Sequence, residues 1–140
     1  RVMSALNFGG IVETYNWNHA LHSLDKGHIV IFVGGTGNPY FTTDTTAAMR
    51  ASEIEAEVLL KATKVDGIYD KDPMKNKDAV KSDCLTFSEV LMRDLHVMDG
   101  TAIALCRESD IPIHVFNLFE KGALLRAVTE KKGGTLVTKS

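Results

Sequence analysis

The run His28-Ile-Val-Ile-Phe-Val33 is short, rich in β-branched residues and apolar after its first position, and a glycine cluster ends it at once. It is too short for a core helix and lacks the alternation of a half-solvated strand, so it reads as a strand covered on both faces of a parallel sheet. Val58-Leu-Leu60 with Ala62 and Ile111-Pro-Ile-His-Val-Phe116 repeat the pattern. Helical periods lie between these runs. Asn16 caps a helix near 16–26 in which Trp17, Ala20, Leu21 and Leu24 share a face, with Gly27 as its stop. Asp44 caps a second helix, with Ala47, Ala51, Ile54 and Val58 inward and Glu53, Glu55 and Glu57 toward water.

Farther along, Thr86-x-x-Glu89 is a capping box for a helix near 86–95, and Asp99 caps another that runs to about Ser109. A last helix covers 122–130, and Thr135-Leu-Val-Thr138 forms a closing strand. Lys64 to Asp83 is polar and carries Asp66-Gly67 and Asp72-Pro73 turn signals, which predicts a long excursion with a small hairpin. Strands alternating with helices imply right-handed crossovers and a mostly parallel α/β sheet. Residues 1–140 read as a single domain without repeats.

Composition removes several function classes. Sixteen Lys and Arg against 18 Asp and Glu leave a formal charge of −2, which argues against a dedicated nucleic-acid binder. A 44% hydrophobic content is enough for a packed core and argues against disorder. No stretch approaches the roughly 18 uninterrupted apolar residues of a membrane span, and Arg1 to Gly10 lacks a signal-peptide layout, so a cytoplasmic location is expected. Cys84 and Cys106 have no CxxC spacing and read as reduced, structural thiols. His19 and His22 are three apart on a helix, but no third ligand is near in sequence, and no metal site is expected from them.

Ligands of open α/β sheets bind beyond the carboxyl ends of the strands. Three segments occupy that place: Gly34 to Asp44, Thr63 to Pro73, and Asn117 onward. The first joins glycines, the hydroxyls of Thr36, Thr42 and Thr43, and a helix N-terminus, which are the parts of a phosphate site. No Lys follows the glycines and Tyr40 takes the place of a last glycine, so the segment is neither a P-loop nor a dinucleotide fingerprint. By these residues alone, a phosphate cradle and a plain capped turn both stay open.

Gly35-Thr-Gly-Asn-Pro-Tyr-Phe-Thr-Thr-Asp44, Leu60-Lys-Ala-Thr-Lys-Val-Asp-Gly67 with Asp72-Pro73, and Val97-Met-Asp99 together resemble the bacterial UMP kinases of the amino acid kinase family. The resemblance runs in register over the whole chain and corresponds to the C-terminal portion of such kinases. It implies a three-layer α/β/α sandwich with a mostly parallel sheet, the N-terminal part lying outside these residues. It also implies transfer of the γ-phosphoryl group of ATP to UMP, giving UDP with Mg²⁺, in pyrimidine nucleotide biosynthesis. A homohexamer with GTP or UTP as effectors is expected on the same ground.

Carried over by motif, Thr36, Gly37, Asn38 and Thr43 correspond to the part that holds UMP. Asp44 matches an acidic residue beside the transferring phosphate that organises catalytic lysines, although a helix cap also explains it. Thr63, Tyr69 and Asp72 align with ATP contacts, with Lys61, Asp66 and Gly67 in the same segment. Arg1 and Trp17 fall on positions tied to the GTP site, and Asp99 on an acidic position that helix capping explains equally well. The family's glycine-rich loop and its lysine precede these residues, so the fragment alone is expected to be inactive. Two other readings compete: a non-catalytic nucleotide-binding or oligomerisation module, and a kinase acting on a carboxylate or carbamate.

Overall fold

The computed structural model describes residues 1–130 and 133–140. Two sheets and a hairpin carry the chain. Strands β1 (Val2–Ser4), β2 (Glu13–Thr14) and β3 (Ile31–Val33) form a parallel sheet in the order β2-β1-β3. Strands β4 (Leu59–Thr63), β7 (Cys84–Thr86), β8 (Ile113–Asn117) and β9 (Thr135–Thr138) form a second sheet in the order β4-β8-β9-β7. In it β4 runs parallel to β8 and β7 parallel to β9, while β8 and β9 are antiparallel. The expected excursion holds a hairpin of β5 (Ile68–Tyr69) and β6 (Lys81–Ser82).

Helix α1 (Trp17–Asp25) starts at its Asn16 cap, whose side chain accepts from the His19 amide, and stops at Gly27 with φ of 76°. Helix α2 (Thr43–Glu53) corrects the sequence reading, because Thr42 and not Asp44 is the cap. The Thr42 hydroxyl accepts from the amides of Asp44 and Thr45, so Asp44 sits in the first turn, where a carboxylate complements the helix dipole. This helix also ends before Val58. Glu55 at φ of 53° turns the chain toward β4.

Helix α3 (Phe87–Met92) opens with both halves of the Thr86/Glu89 capping box in place, and α4 (Gly100–Glu108) opens on Asp99. Helix α5 (Ala123–Thr129) precedes β9. Around the four-stranded sheet the expected three layers are present. Ile113 and Val115 of β8 face a core with Ala48 and Ala51 of α2, Phe87 of α3, and Ile103 and Cys106 of α4. Phe116 faces the other way, onto Ala123 and Ala127 of α5. Alternation along one buried strand therefore supplies both faces.

The first strand departs most from expectation. Ile31 is 54% exposed and Val33 36%, although their run reads as doubly covered. Strand β3 pairs with β1 on one edge only, and between it and β4 lies an apolar gap of about 550 Å³, lined by Phe32, Val33, Val58 and Leu60 among others. Strands β1, β2 and β7 have no apolar run of their own and were not legible locally.

Candidate functional site

Two loop systems leave the carboxyl ends of β3 and β4. The first crosses closely over Ser4 and Ala5. A Cβ on Gly34 would stand 3.1 Å from the Ser4 hydroxyl, one on Gly37 would stand 3.2 Å from the Ala5 carbonyl, and both residues have positive φ. Glycine is required here by space and by backbone conformation together. Thr36 and Asn38 close a tight turn, the Thr36 hydroxyl accepting from the Asn38 amide at 3.0 Å and donating to its carbonyl at 3.1 Å. The loop of Thr36, Gly37 and Asn38 leads on to Thr43 at the start of α2; of these four residues expected to hold UMP, Thr36 is half-buried and the other three are exposed.

The second system borders a cavity of about 340 Å³, a volume in the range of small-ligand pockets. Thr63, Gly67, Tyr69 and Asp72 line it. Lys61 and Asp66 do not. Asp66 stands behind the wall, where it accepts a hydrogen bond from the Tyr69 hydroxyl at 2.6 Å and pairs with Lys81 at 3.3 Å. The Tyr69 bond holds the Asp66 carboxyl below its ordinary range, and the same contact raises the Tyr69 phenol. Asp66, expected from the resemblance to bind ATP, is thus a buttress for the Tyr69 ring and stands outside the cavity lining.

Lys61 leaves β4 toward the first loop system and forms an ion pair with Asp44. This pair joins the two halves. Both side chains are about three-quarters buried, so water screens the contact less than at an open surface. Behind it, Asp99 ties two helix N-termini together: it accepts from the Ala102 amide at 2.8 Å, from the Thr45 hydroxyl at 2.9 Å, and from the Thr42 hydroxyl. Burial alone would raise the Asp99 carboxyl, but these donors outweigh it and hold it below the ordinary range. Asp99 is accounted for as a cap and brace.

Sequence reasoning missed the far wall of the cavity. Arg93, Asp94, Leu95, His96 and Val97, from the connection between α3 and α4, close it opposite Tyr69. Only Val97 belongs to a motif the sequence singles out, Val97-Met-Asp99; packing alone brings the others within reach. Arg1 and Trp17 lie apart from both loops. The Arg1 guanidinium donates to Ser23 at 3.1 Å and approaches Glu13, while Trp17 is half exposed at the start of α1. Among the described residues, no three His, Cys, Asp or Glu side chains converge as a metal cage, and no helix is long and apolar enough to cross a membrane.

Comparison with known proteins agrees with this architecture. The chain is 60% identical to the uridylate kinase of Protochlamydia amoebophila over 139 residues, covering 97% of this chain and 55% of that protein. It is 55% identical to the uridylate kinase of Acinetobacter baumannii, covering 99% and 57% respectively. Its backbone superposes on the UMP kinase from Bacillus anthracis with a TM-score of 0.95 at 38% identity, over 100% of this chain and 58% of that one. The UMP kinase from Ureaplasma parvum gives 0.90 at 41% identity, over 99% and 59%. The chain therefore spans a little over half the length of the relatives it matches. With residues 3–117 matching the profile of the amino acid kinase family, and strands β3 and β4 delivering their loops to one charged pair, this chain belongs to the amino acid kinase family.

Proposed function

We propose that the full-length protein carrying this chain transfers the γ-phosphoryl group of ATP to UMP. The observation that carries this reading is the Asp44–Lys61 pair at the junction of a phosphate-type loop and a nucleotide-sized cavity. Phosphoryl transfer calls for positioning and for cations near the charge that moves, and little covalent work by the protein. In this reading the loop of Thr36, Gly37, Asn38 and Thr43 holds the UMP phosphate with backbone amides, short hydroxyls and the α2 N-terminus. Tyr69 and Asp72 hold the base and ribose of ATP, and Thr63 lies at the mouth of the same cavity.

Lys61 supplies positive charge to the transferring group, and Asp44 fixes where its ammonium stands. Asp44 is not needed as a base, since its partner is a cation. Mg²⁺ fits as an ion brought in on the ATP phosphates, because such ions take one or two carboxylates and keep several waters. Asp44 is the carboxylate at that end, and the ion would neutralise charge on the phosphates. A hexameric assembly and control by GTP or UTP belong to the same proposal, and light scattering with and without those nucleotides tests them.

Coupled ADP release from UMP, ATP and Mg²⁺ by the full-length protein is the test. Turnover that requires UMP supports the reading. ATP binding without UMP-dependent turnover would point to a non-catalytic nucleotide-binding module, and turnover only with a carboxylate or carbamate acceptor would overturn the choice of UMP.

A further inference from the structure

Arg50 is 7% exposed, yet it lies on the helix that the sequence reads as a simple amphipathic element. Its guanidinium is held on three sides. One nitrogen pairs with Glu53 at 2.5 Å, a second donates to the Gly35 carbonyl at 3.4 Å, and the plane lies 3.8 Å over the Tyr15 ring. Tyr15 in turn donates its hydroxyl to Glu53 at 2.5 Å, packs edge-on against Phe32 of β3, and donates its amide to the Ser4 carbonyl at 2.7 Å. Burial, with the Glu53 contact, pushes the Tyr15 phenol up to about 12, so it stays a donor at any physiological pH.

These contacts join parts of the chain that otherwise belong to different sheets. Helix α2 packs its Ala48 and Ala51 into the core of the four-stranded sheet, whereas Phe32 lies in the three-stranded one and Tyr15 and Gly35 follow its strands β2 and β3. The peptide after Gly35 is trans, so anchoring its carbonyl to Arg50 turns the Thr36 N–H the opposite way. We propose that Arg50, seated on Tyr15 and Glu53, is a positioning residue: it sets the Thr36 amide and the phosphate loop relative to Asp44 and Lys61. This rests on the kinase reading for its functional consequence, but its geometry does not. Lysine cannot replace the residue, because a point charge neither stacks on the ring nor forks between a carboxylate and a carbonyl.

Arg50→Lys in the full-length protein is the decisive variant, with Tyr15→Phe as the milder one that keeps the ring and removes only the hydroxyl. Arg50→Lys is expected to raise the KM for UMP about tenfold, the order of one charge-assisted hydrogen bond, and to leave the KM for ATP within about twofold. Tyr15→Phe is expected to raise the UMP KM about threefold in the same selective way. In ¹H–¹⁵N spectra the Thr36 and Gly37 amides should move in both variants, while amides of α5 stay in place. Equal changes in both KM values, or unchanged UMP KM in a folded Arg50→Lys or Tyr15→Phe protein, would overturn the proposal. If the wild-type protein shows no UMP-dependent turnover, the kinase reading fails by itself. The amide spectra then decide the positioning role, and unmoved Thr36 and Gly37 signals would refute it.

Discussion

Asp99→Ala removes the brace between α2 and α4, and its cost follows from what each lost contact does. The Ala102 amide loses its cap acceptor, which costs about 1 kcal/mol. The Thr45 hydroxyl, in a residue only 3% exposed, loses the carboxylate it donates to, and a buried donor left unpaired costs about 1–3 kcal/mol. The expected destabilisation is therefore about 2–4 kcal/mol, large against the stability of a typical domain. Asp99→Asn keeps a good cap and an acceptor oxygen and should cost less than about 1 kcal/mol.

A double-mutant cycle separates the two contributions. Thr45→Val removes the buried donor, so Asp99→Ala on that background should cost only the cap and the exposed Thr42 contact, with a coupling energy of about 1–2 kcal/mol. Equilibrium urea unfolding of the full-length protein, followed by circular dichroism at unchanged m, measures all four corners. The pH dependence has a definite sign. The folded Asp99 carboxyl titrates below its unfolded value of about 3.9, so its contribution is complete above that value and fades as pH falls through the depressed folded one. Additive single mutants, or an Asp99→Asn protein as unstable as Asp99→Ala, would refute the reasoning.

Lys61→Ala and Asp44→Asn should each lower kcat about a hundredfold or more, the scale of losing one preorganised group beside developing charge, with melting temperature measured alongside to exclude unfolding. Tyr69→Ala should raise the KM for ATP about tenfold, as the loss of one base-stacking ring implies, whereas Tyr69→Phe keeps the ring and should change it far less; initial rates at saturating UMP test both. Cys84 is exposed, while burial pushes the Cys106 thiol up to about 11, so peptide mapping after brief alkylation at neutral pH should find Cys84 modified and Cys106 modified only after denaturation.

Much of the scaffold was legible because it rests on short-range rules. The Asn16 cap, the Thr86/Glu89 capping box and the Asp99 cap are contacts within four residues, and each helix starts where those rules place it. The apolar run at 111–116 became β8, buried from Ile113 to Phe116 as its composition demands, whereas the run at 58–62 became β4, an edge strand in which only Leu59 is buried and Ala62 is exposed. The cap of α2 was misplaced by two residues because Thr42 and Asp44 are both competent caps and only the loop's path chooses between them.

What the sequence determined by itself is the alternation of strand and helix, the glycine turns, and the residue types that the two loops present. Its motifs also carried the family. Tertiary structure alone decided which charges meet: Lys61 is seventeen residues from Asp44, and Asp99 is more than fifty from Thr42 and Thr45. It likewise decided that Asp66 braces Tyr69, that residues 93–97 wall the cavity, and that Arg50 is enclosed by Tyr15, Gly35 and Glu53. The physical reason is common to all of these. Propensity and capping act over a turn or two of chain, whereas a buried charge is placed by whatever partners the packed sheets bring to it.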